Sequence, residues 1–341
     1  MKEVKVMLTC SNIHVKDIIK CLKDGTSGYD IKVYVTNSLE WELPPENEVD
    51  GRFVVPRIDD PTHVEYMIKL CEDNKIDFIL PISSIDLEIL SKHKQDFANI
   101  GTIVSVLDLD VMKVANDKIE MYKRFGKIMP KSQVATDAIS VKEFAKNVSN
   151  KICCKLSNLC GGKGFAVVDE DKCYDITLFH KFGCKHYITL DQLCKVVERR
   201  DHEVILQEFV DGYDYTISLL AEHGKVKQIV GYVGYLLDFG SIMYGEIKEC
   251  KQAFDIAEMI VKDLKLDGNI GIDFIVSKDF SSAVLLEVNP RINASLPFVA
   301  AAGCNMIAMR IKQLLGEDVS EKSNVLNGYK MKKYFGTRYF I

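Results

Sequence analysis

The stretch Leu285-Leu286-Glu287-Val288-Asn289-Pro290-Arg291 sets a carboxylate, an amide and a guanidinium at alternate positions directly after an apolar run. Alternate residues of a strand project from one face, so Glu287, Asn289 and Arg291 converge on one site while Leu286 and Val288 anchor the other face. Fourteen residues before Glu287, Gly271-Ile272-Asp273-Phe274-Ile275-Val276 has the pattern of a second short strand with one acid among apolar neighbours. Lys278-Asp279-Phe280-Ser281-Ser282 supplies polar turn residues between the two runs, and a hairpin brings Asp273 beside Glu287. Oxygen ligands of this kind beside a fixed cation suit Mg²⁺, which takes one or two carboxylates and fills its shell with substrate phosphates. Taken alone, the same residues also suit a solvated salt bridge on a strand edge.

The composition fits a globular enzyme of two or three packed units: 341 residues, 47% apolar and 27% charged. A net charge of -5 argues against nucleic-acid and membrane-surface partners, which usually require a basic patch. No apolar run approaches the ~20 residues of a spanning helix. The opening Met1-Lys2-Glu3-Val4-Lys5-Val6-Met7-Leu8 reads as a short charged strand and not as a signal peptide, so a cytoplasmic location is expected. Eleven cysteines, an odd number without a C-x-x-C pair, point to reduced and mostly buried thiols. His180, His186, Cys173, Cys184 and Cys194 have spacings that fit no zinc pattern.

Strand and helix patterns alternate over the first 110 or so residues: Val4 to Thr9, Val15 to Leu22, Ile31 to Val35, His63 to Glu72, then Phe78 to Pro81. This order predicts a parallel α/β unit. Its first turn, Thr9-Cys10-Ser11-Asn12-Ile13-His14, lacks G-x-G-x-x-G, which argues against a dinucleotide enzyme. The first boundary falls near Asp108 to Asn116, followed by a helix from Asp117 to Phe125, a turn from Gly126 to Pro130 and a run of short strands. The small and apolar residues from Ala294 to Leu315 suggest one core helix, with Asn293 and Ser295 at its start able to bind a carboxylate through free N–H groups. The basic-aromatic tail from Tyr329 to Phe340 reads as a closing strand.

Two further motifs suit phosphate and nucleoside chemistry, although taken alone the first also suits a mobile surface hairpin with exposed lysines and the second an ordinary hairpin with an exposed Asp. In Lys151-Ile152-Cys153-Cys154-Lys155-Leu156-Ser157-Asn158-Leu159-Cys160-Gly161-Gly162-Lys163-Gly164-Phe165, a strand ends in a lysine and runs into a small-residue loop whose backbone can curl toward an anion. It is not a Walker loop, because Gly164 stands where Ser or Thr would hold Mg²⁺ and a strand follows instead of a helix. In Val204-Ile205-Leu206-Gln207-Glu208-Phe209-Val210-Asp211-Gly212-Tyr213-Asp214-Tyr215-Thr216, a buried strand leads to a connection that can offer backbone groups to a purine edge and a carboxylate to ribose.

With these motifs in this order, the chain resembles the ATP-grasp superfamily of ligases, above all its short members related to the synthetase component of carbamoyl-phosphate synthase. The resemblance implies an N-terminal parallel α/β domain over residues 1–112 and an ATP-grasp fold, α+β in character, over 113–341. A mobile lid subdomain would occupy roughly residues 128–206. It implies that Lys118 and Lys155 contact phosphates and that the loop residues Ser157, Gly161, Gly162 and Gly164 close over them. Gln207 and the backbone of Glu208 and Val210 would face adenine, and Asp214 the ribose. Asp273, Glu287 and Asn289 would hold two Mg²⁺, with Mn²⁺ as a substitute, and Arg291 would stabilise the transferring phosphoryl group. Relatives often carry Glu where Gln207 stands, but a Gln carbonyl also accepts from an exocyclic amine. Between Lys227 and Lys248, where relatives commonly supply a cation, this chain has none, which implies either a more apolar acceptor pocket lined by Tyr232, Tyr235 and Tyr244 or a reduced activity.

The implied reaction is ATP-dependent joining of a carboxylate to an amine or ammonia through an acyl phosphate, with release of ADP and phosphate. A kinase on the same ATP site and a nucleotide-binding regulatory protein are the alternatives. The partners implied are small molecules and no nucleic acid or membrane, with homodimer formation left open.

Overall fold

The computed structural model describes residues 1–149, 151–156, 164–174, 187–201, 203–238 and 241–334. Its first sheet consists of β1 (Lys2–Thr9), β2 (Tyr29–Asn37), β3 (Gly51–Val54), β4 (Phe78–Pro81) and β5 (Ile103–Val104), in the order β3-β2-β1-β4-β5. Every pair is parallel. Alternation along β1 explains how both faces are covered. Val4, Val6 and Leu8 pack with Ile18 and Leu22 of α1 (Val15–Gly25). Met7 packs on the other side with Met67 of α2 (His63–Asn74), Leu87 of α3 (Leu87–Lys92) and Phe97 of α4 (Lys94–Asn99). A sheet buried on both faces is the expected state of parallel strands. The strand order reverses direction between β1 and β4, so their carboxyl ends bound a crevice.

Two helices, α5 (Leu109–Ala115) and α6 (Lys118–Phe125), lead to the second sheet. It comprises β6 (Ser132–Ala135), β7 (Ile152–Leu156), β8 (Ala166–Val168), β9 (Tyr187–Ile188) and β10 (Val204–Glu208), ordered β6-β10-β7-β8-β9. Helices α7 (Ala138–Asn147) and α8 (Leu190–Arg199) cover one face, burying Val141, Phe144, Leu193 and Val197 against Ile152, Cys154, Val204 and Leu206. Capping boxes at Asp137 with Ser140 and at Thr189 with Gln192 fix both helix starts. The period of two then leaves Cys153, Lys155, Ile205 and Gln207 on the opposite face, which no helix of the described residues covers.

The third sheet is antiparallel and contains β11 (Tyr213–Glu222), β12 (Lys225–Asp238), β13 (Ser241–Ile247), β14 (Gly268–Val276), β15 (Ala283–Asn289) and β16 (Lys330–Lys332), ordered β15-β14-β11-β12-β13-β16. On one face, Ala253, Ile256, Ala257 and Ile260 of α9 (Lys251–Leu264) pack on Tyr215, Ile217, Ile272 and Phe274. On the other, Leu220, Val230 and Tyr232 join the cluster built on α1 and on α10 (Leu296–Ala301) and α11 (Met306–Leu314). That second face is apolar toward the end of β11 and polar toward its start, where Asp214 and Thr216 lie.

One expectation about the elements needs correction. The single helix expected from Ala294 to Leu315 is two, because Gly303 takes φ +113°, outside the helical region. The tail supplies the expected closing strand as β16 at the edge of the third sheet, and residues 335–341 lie outside the described residues. Nine cysteines are described, all free, and all but Cys10 are buried, whereas His180, Cys184 and His186 fall outside. Among the described residues no helix is long and apolar enough to cross a membrane.

Candidate functional site: an acid pair between two sheets

The β14–β15 hairpin places Asp273 opposite Glu287 and Gly271 opposite Asn289, with a bulge just after Asp273. Like charges directly across a ladder repel, so the pair has to be compensated. Thr216, paired with Asp273 across β11, donates its hydroxyl to Asp273 Oδ1 at 2.6 Å. Asn289 Nδ2 bridges the two acids, at 2.8 Å from Asp273 Oδ2 and 3.3 Å from Glu287 Oε1. Burial and the neighbouring Glu287 push the Asp273 carboxyl up to about 7. Glu287 goes the other way: burial opposes its ionisation, but Lys118 and Lys155, with Asn289 and Arg291, hold it below the usual carboxylate range. It keeps 36% of its side-chain surface open, so the cleft encloses it without sealing it.

The cations come from three separate parts of the fold. Lys118 is the first residue of α6, whose Asp117 cap accepts from the N–H groups of Ile119 and Glu120, and its Nζ lies 3.8 Å from Glu287 Oε2. Lys155 stands on the face of the second sheet opposite α7 and α8, and its charge acts on both Glu287 and Asp214. Enclosure in the cleft raises the Asp214 carboxyl against that pull, although Asp214 itself remains open to solvent. Arg291 lies beyond the end of β15, donating from Nε to Ser84 Oγ at 2.8 Å and from Nη1 to the Ile292 carbonyl at 3.1 Å.

The remaining expected residues are distributed unevenly. Gln207 is buried at 6% exposure and donates to Ser132 Oγ at 3.0 Å, while the Glu208 N–H donates to the Lys131 carbonyl at 2.8 Å. Val210 is half-buried in the link between the second and third sheets. Gly164 closes its loop with φ +72°, accepting from the Leu156 N–H at 3.2 Å. Ser157, Gly161 and Gly162 lie outside the described residues.

The Ser295 N–H is not free for the carboxylate expected at Asn293 and Ser295. The Ser295 N–H donates to Asn293 Oδ1 at 3.0 Å, and Asn293 Nδ2 donates to the fully buried Ser218 Oγ at 2.9 Å. The Tyr232 hydroxyl completes this network, 3.0 Å from Ser218 Oγ and 3.4 Å from Asn293 Oδ1. Nor do the three tyrosines share one pocket. Tyr232 pairs with Thr216 on the polar face, whereas Tyr235 packs edge-on against Tyr213, with ring centroids 5.5 Å apart, and lies 5.9 Å from Tyr244. Strand parity and the irregular register after Gly234 separate them. Sequence reasoning missed Thr216 and Ser84. The parity of Thr216 with Asp214 was available as a signal for the first, and the polar Ser83-Ser84 end of a buried strand for the second.

The donor set fits a hard divalent cation. It is made of oxygen ligands, it brings together two acids, one of which resists ionisation, and an amide NH₂ bridges the acids where a cation would relieve their repulsion. Among the described residues no third His, Cys, Asp or Glu joins the pair, which leaves coordination positions for phosphate oxygens and water.

A small α/β sheet that sets its lysine opposite an antiparallel sheet bearing an acid pair is the ATP-grasp architecture, and the chain has a parallel-sheet N-terminal domain followed by an ATP-grasp fold. Residues 200–336 match the family described as ATP-grasp in the biosynthetic pathway with Ter operon, and residues 7–105 match the PylC-like N-terminal domain. The carbamoyl-phosphate synthase of Methanobrevibacter smithii is 23% identical over 89% of this chain and 84% of its own length. The C-terminal section of the carbamoyl phosphate synthase large chain of Methanopyrus kandleri is 20% identical over 63% of this chain, which spans only 39% of that protein. The crystal structure of N5-carboxyaminoimidazole synthetase from Staphylococcus aureus complexed with ADP superposes with a TM-score of 0.69 at 11% identity, covering 95% of this chain and 81% of the other.

Proposed function

We propose that this protein is an ATP- and Mg²⁺-dependent ligase that joins a small-molecule carboxylate to an amine or ammonia. The observation that carries the reading is the bridged pair Asp273–Glu287, set where Lys118, Lys155 and Arg291 all act on it. Asp273, Glu287 and Asn289 would hold the metal, two ions in the full set, and Mg·ATP when bound would supply the phosphoryl group that activates the carboxylate. Lys118 and Lys155 bind and orient the phosphates. Arg291 stabilises charge at their distal end, which favours attack at the γ-phosphate over the α-phosphate. Asp214 stands at the ribose end and the Glu208–Val210 link at the base. The glycine loop after Lys155 and the second sheet would act as a lid that excludes water from a hydrolysable acyl phosphate.

The deciding experiment supplies the protein with Mg·ATP, a panel of carboxylates and hydroxylamine. Formation of ADP with an equal amount of hydroxamate supports the ligase. A stable phosphorylated product would replace it with a kinase. Release of AMP and pyrophosphate would refute the assigned direction of attack, and nucleotide binding without turnover across the panel would favour a regulatory protein.

A further inference from the structure

Arg291 is held by a residue 207 positions away. Its Nε–H donates to Ser84 Oγ at 2.8 Å, and Nη1 donates to the carbonyl of its own neighbour Ile292 at 3.1 Å. An unrestrained arginine distributes its guanidinium over many rotamers. Two directional bonds to a planar group leave its remaining edge a single bearing. The serine that makes the first bond sits on a firm base. Ser84 follows the buried strand β4 and Ile82, itself 5% exposed, and precedes Asp86, 2% exposed, which leads into the buried Leu87 and Leu90 of α3. This turn stands at the carboxyl end of a parallel strand beside the β1–β4 reversal, where Ser84 meets Arg291 from beyond the end of β15 in the third sheet. From that position the Arg291 charge acts on both Asp273 and Glu287.

We infer that Ser84 is a positioning residue, through which the N-terminal domain aims the Arg291 guanidinium at the reacting phosphoryl group. This rests on the ligase reading for the role of Arg291, but the restraint itself is a property of the ligand-free chain. Preorganised charge of this kind acts on the rate and little on nucleotide affinity, because it is spent on charge that develops during the reaction.

The test uses Ser84→Ala and Ser84→Thr in the full chain, with Arg291→Lys to assign the Arg291 Nε–H resonance by NMR. In the ligand-free protein that resonance should exchange slowly in the wild type and in Ser84→Thr, and lose its protection in Ser84→Ala. With Mg·ATP and an accepted carboxylate, kcat of Ser84→Ala should fall roughly tenfold or more while Mg·ATP affinity stays within about twofold, and Ser84→Thr should restore most of the rate. Retained Nε–H protection in Ser84→Ala overturns the inference, and so does an unchanged kcat. If the wild type turns over no ATP at all, the ligase reading fails, and the resonance still decides whether Ser84 holds Arg291. A folding defect would show as equal losses in Ser84→Ala and Ser84→Thr, and that result also counts against a positioning role.

Discussion

Asp273→Asn should make the metal-free protein more stable at neutral pH while destroying its metal site. The wild-type carboxyl has its pKa raised from 3.8 to about 7 by burial and by Glu287. Below about pH 4 it is protonated in both the folded and the unfolded chain and contributes nothing to the pH dependence. Between about pH 4 and 7 the unfolded chain releases the proton and the folded protein keeps it, so wild-type stability falls as pH rises, and above about pH 7 the loss is complete. At a little over 1 kcal/mol per pKa unit the loss is about 4 kcal/mol, spread over a broad range because the two acids titrate together. An asparagine escapes it. Its Oδ1 still accepts from Thr216, but its NH₂ meets that of Asn289, which costs about 1 kcal/mol. The variant should therefore gain about 3 kcal/mol over wild type near pH 8 in EDTA and lose that advantage near pH 4. Denaturant midpoints of the two proteins across this range measure the gap. Millimolar Mg²⁺ should then raise the wild-type midpoint and leave the variant unmoved. A gap that stays constant between about pH 5 and 8, or equal Mg²⁺ stabilisation of both proteins, would refute the acid-pair reasoning.

Three other outcomes are expected. Lys155→Met removes a charged partner in the cleft and should weaken Mg·ATP binding by about 10- to 100-fold in calorimetry, with little change in the melting temperature of the ligand-free protein. Arg310 is 4% exposed and donates to Asp267 Oδ2 at 2.7 Å and to Ser105 Oγ of the N-terminal domain at 2.9 Å. Arg310→Met leaves those groups unpaired and should lower stability by about 3–5 kcal/mol, so an unaltered thermal midpoint would contradict it. Gly303→Ala combines a left-handed backbone at φ +113° with a Cβ 2.6 Å from the Asn324 carbonyl oxygen, and should cost at least about 2 kcal/mol in urea unfolding.

Local chemistry made much of this protein legible in its sequence. The alternation of Leu286, Glu287, Val288 and Asn289 requires a strand with one polar face, and the 14-residue offset with a polar turn between allows a hairpin pairing Asp273 with Glu287, as the register has it. The apolar strands separated by helical spacing in the first third of the chain allow little but a parallel sheet covered on both faces. Periodicity is a property of neighbours along the chain, so it carries these features without help from the rest of the molecule. Tertiary packing decided whatever joins distant segments. Nothing near Arg291 names Ser84, because their meeting depends on how β4 ends and how the third sheet docks beside it. The apolar spacing runs on through Gly303, yet the folded chain breaks the helix there at φ +113°, at a point where the Asn324 carbonyl leaves no room for a Cβ. Tyr232 and Tyr235 look alike in the sequence, yet the parity of β12 buries the first beside Ser218 and Asn293 and leaves the second 38% exposed among aromatic rings. In each case the sequence supplied side chains able to interact, and the chain's long-range packing, which no local period encodes, chose their partners.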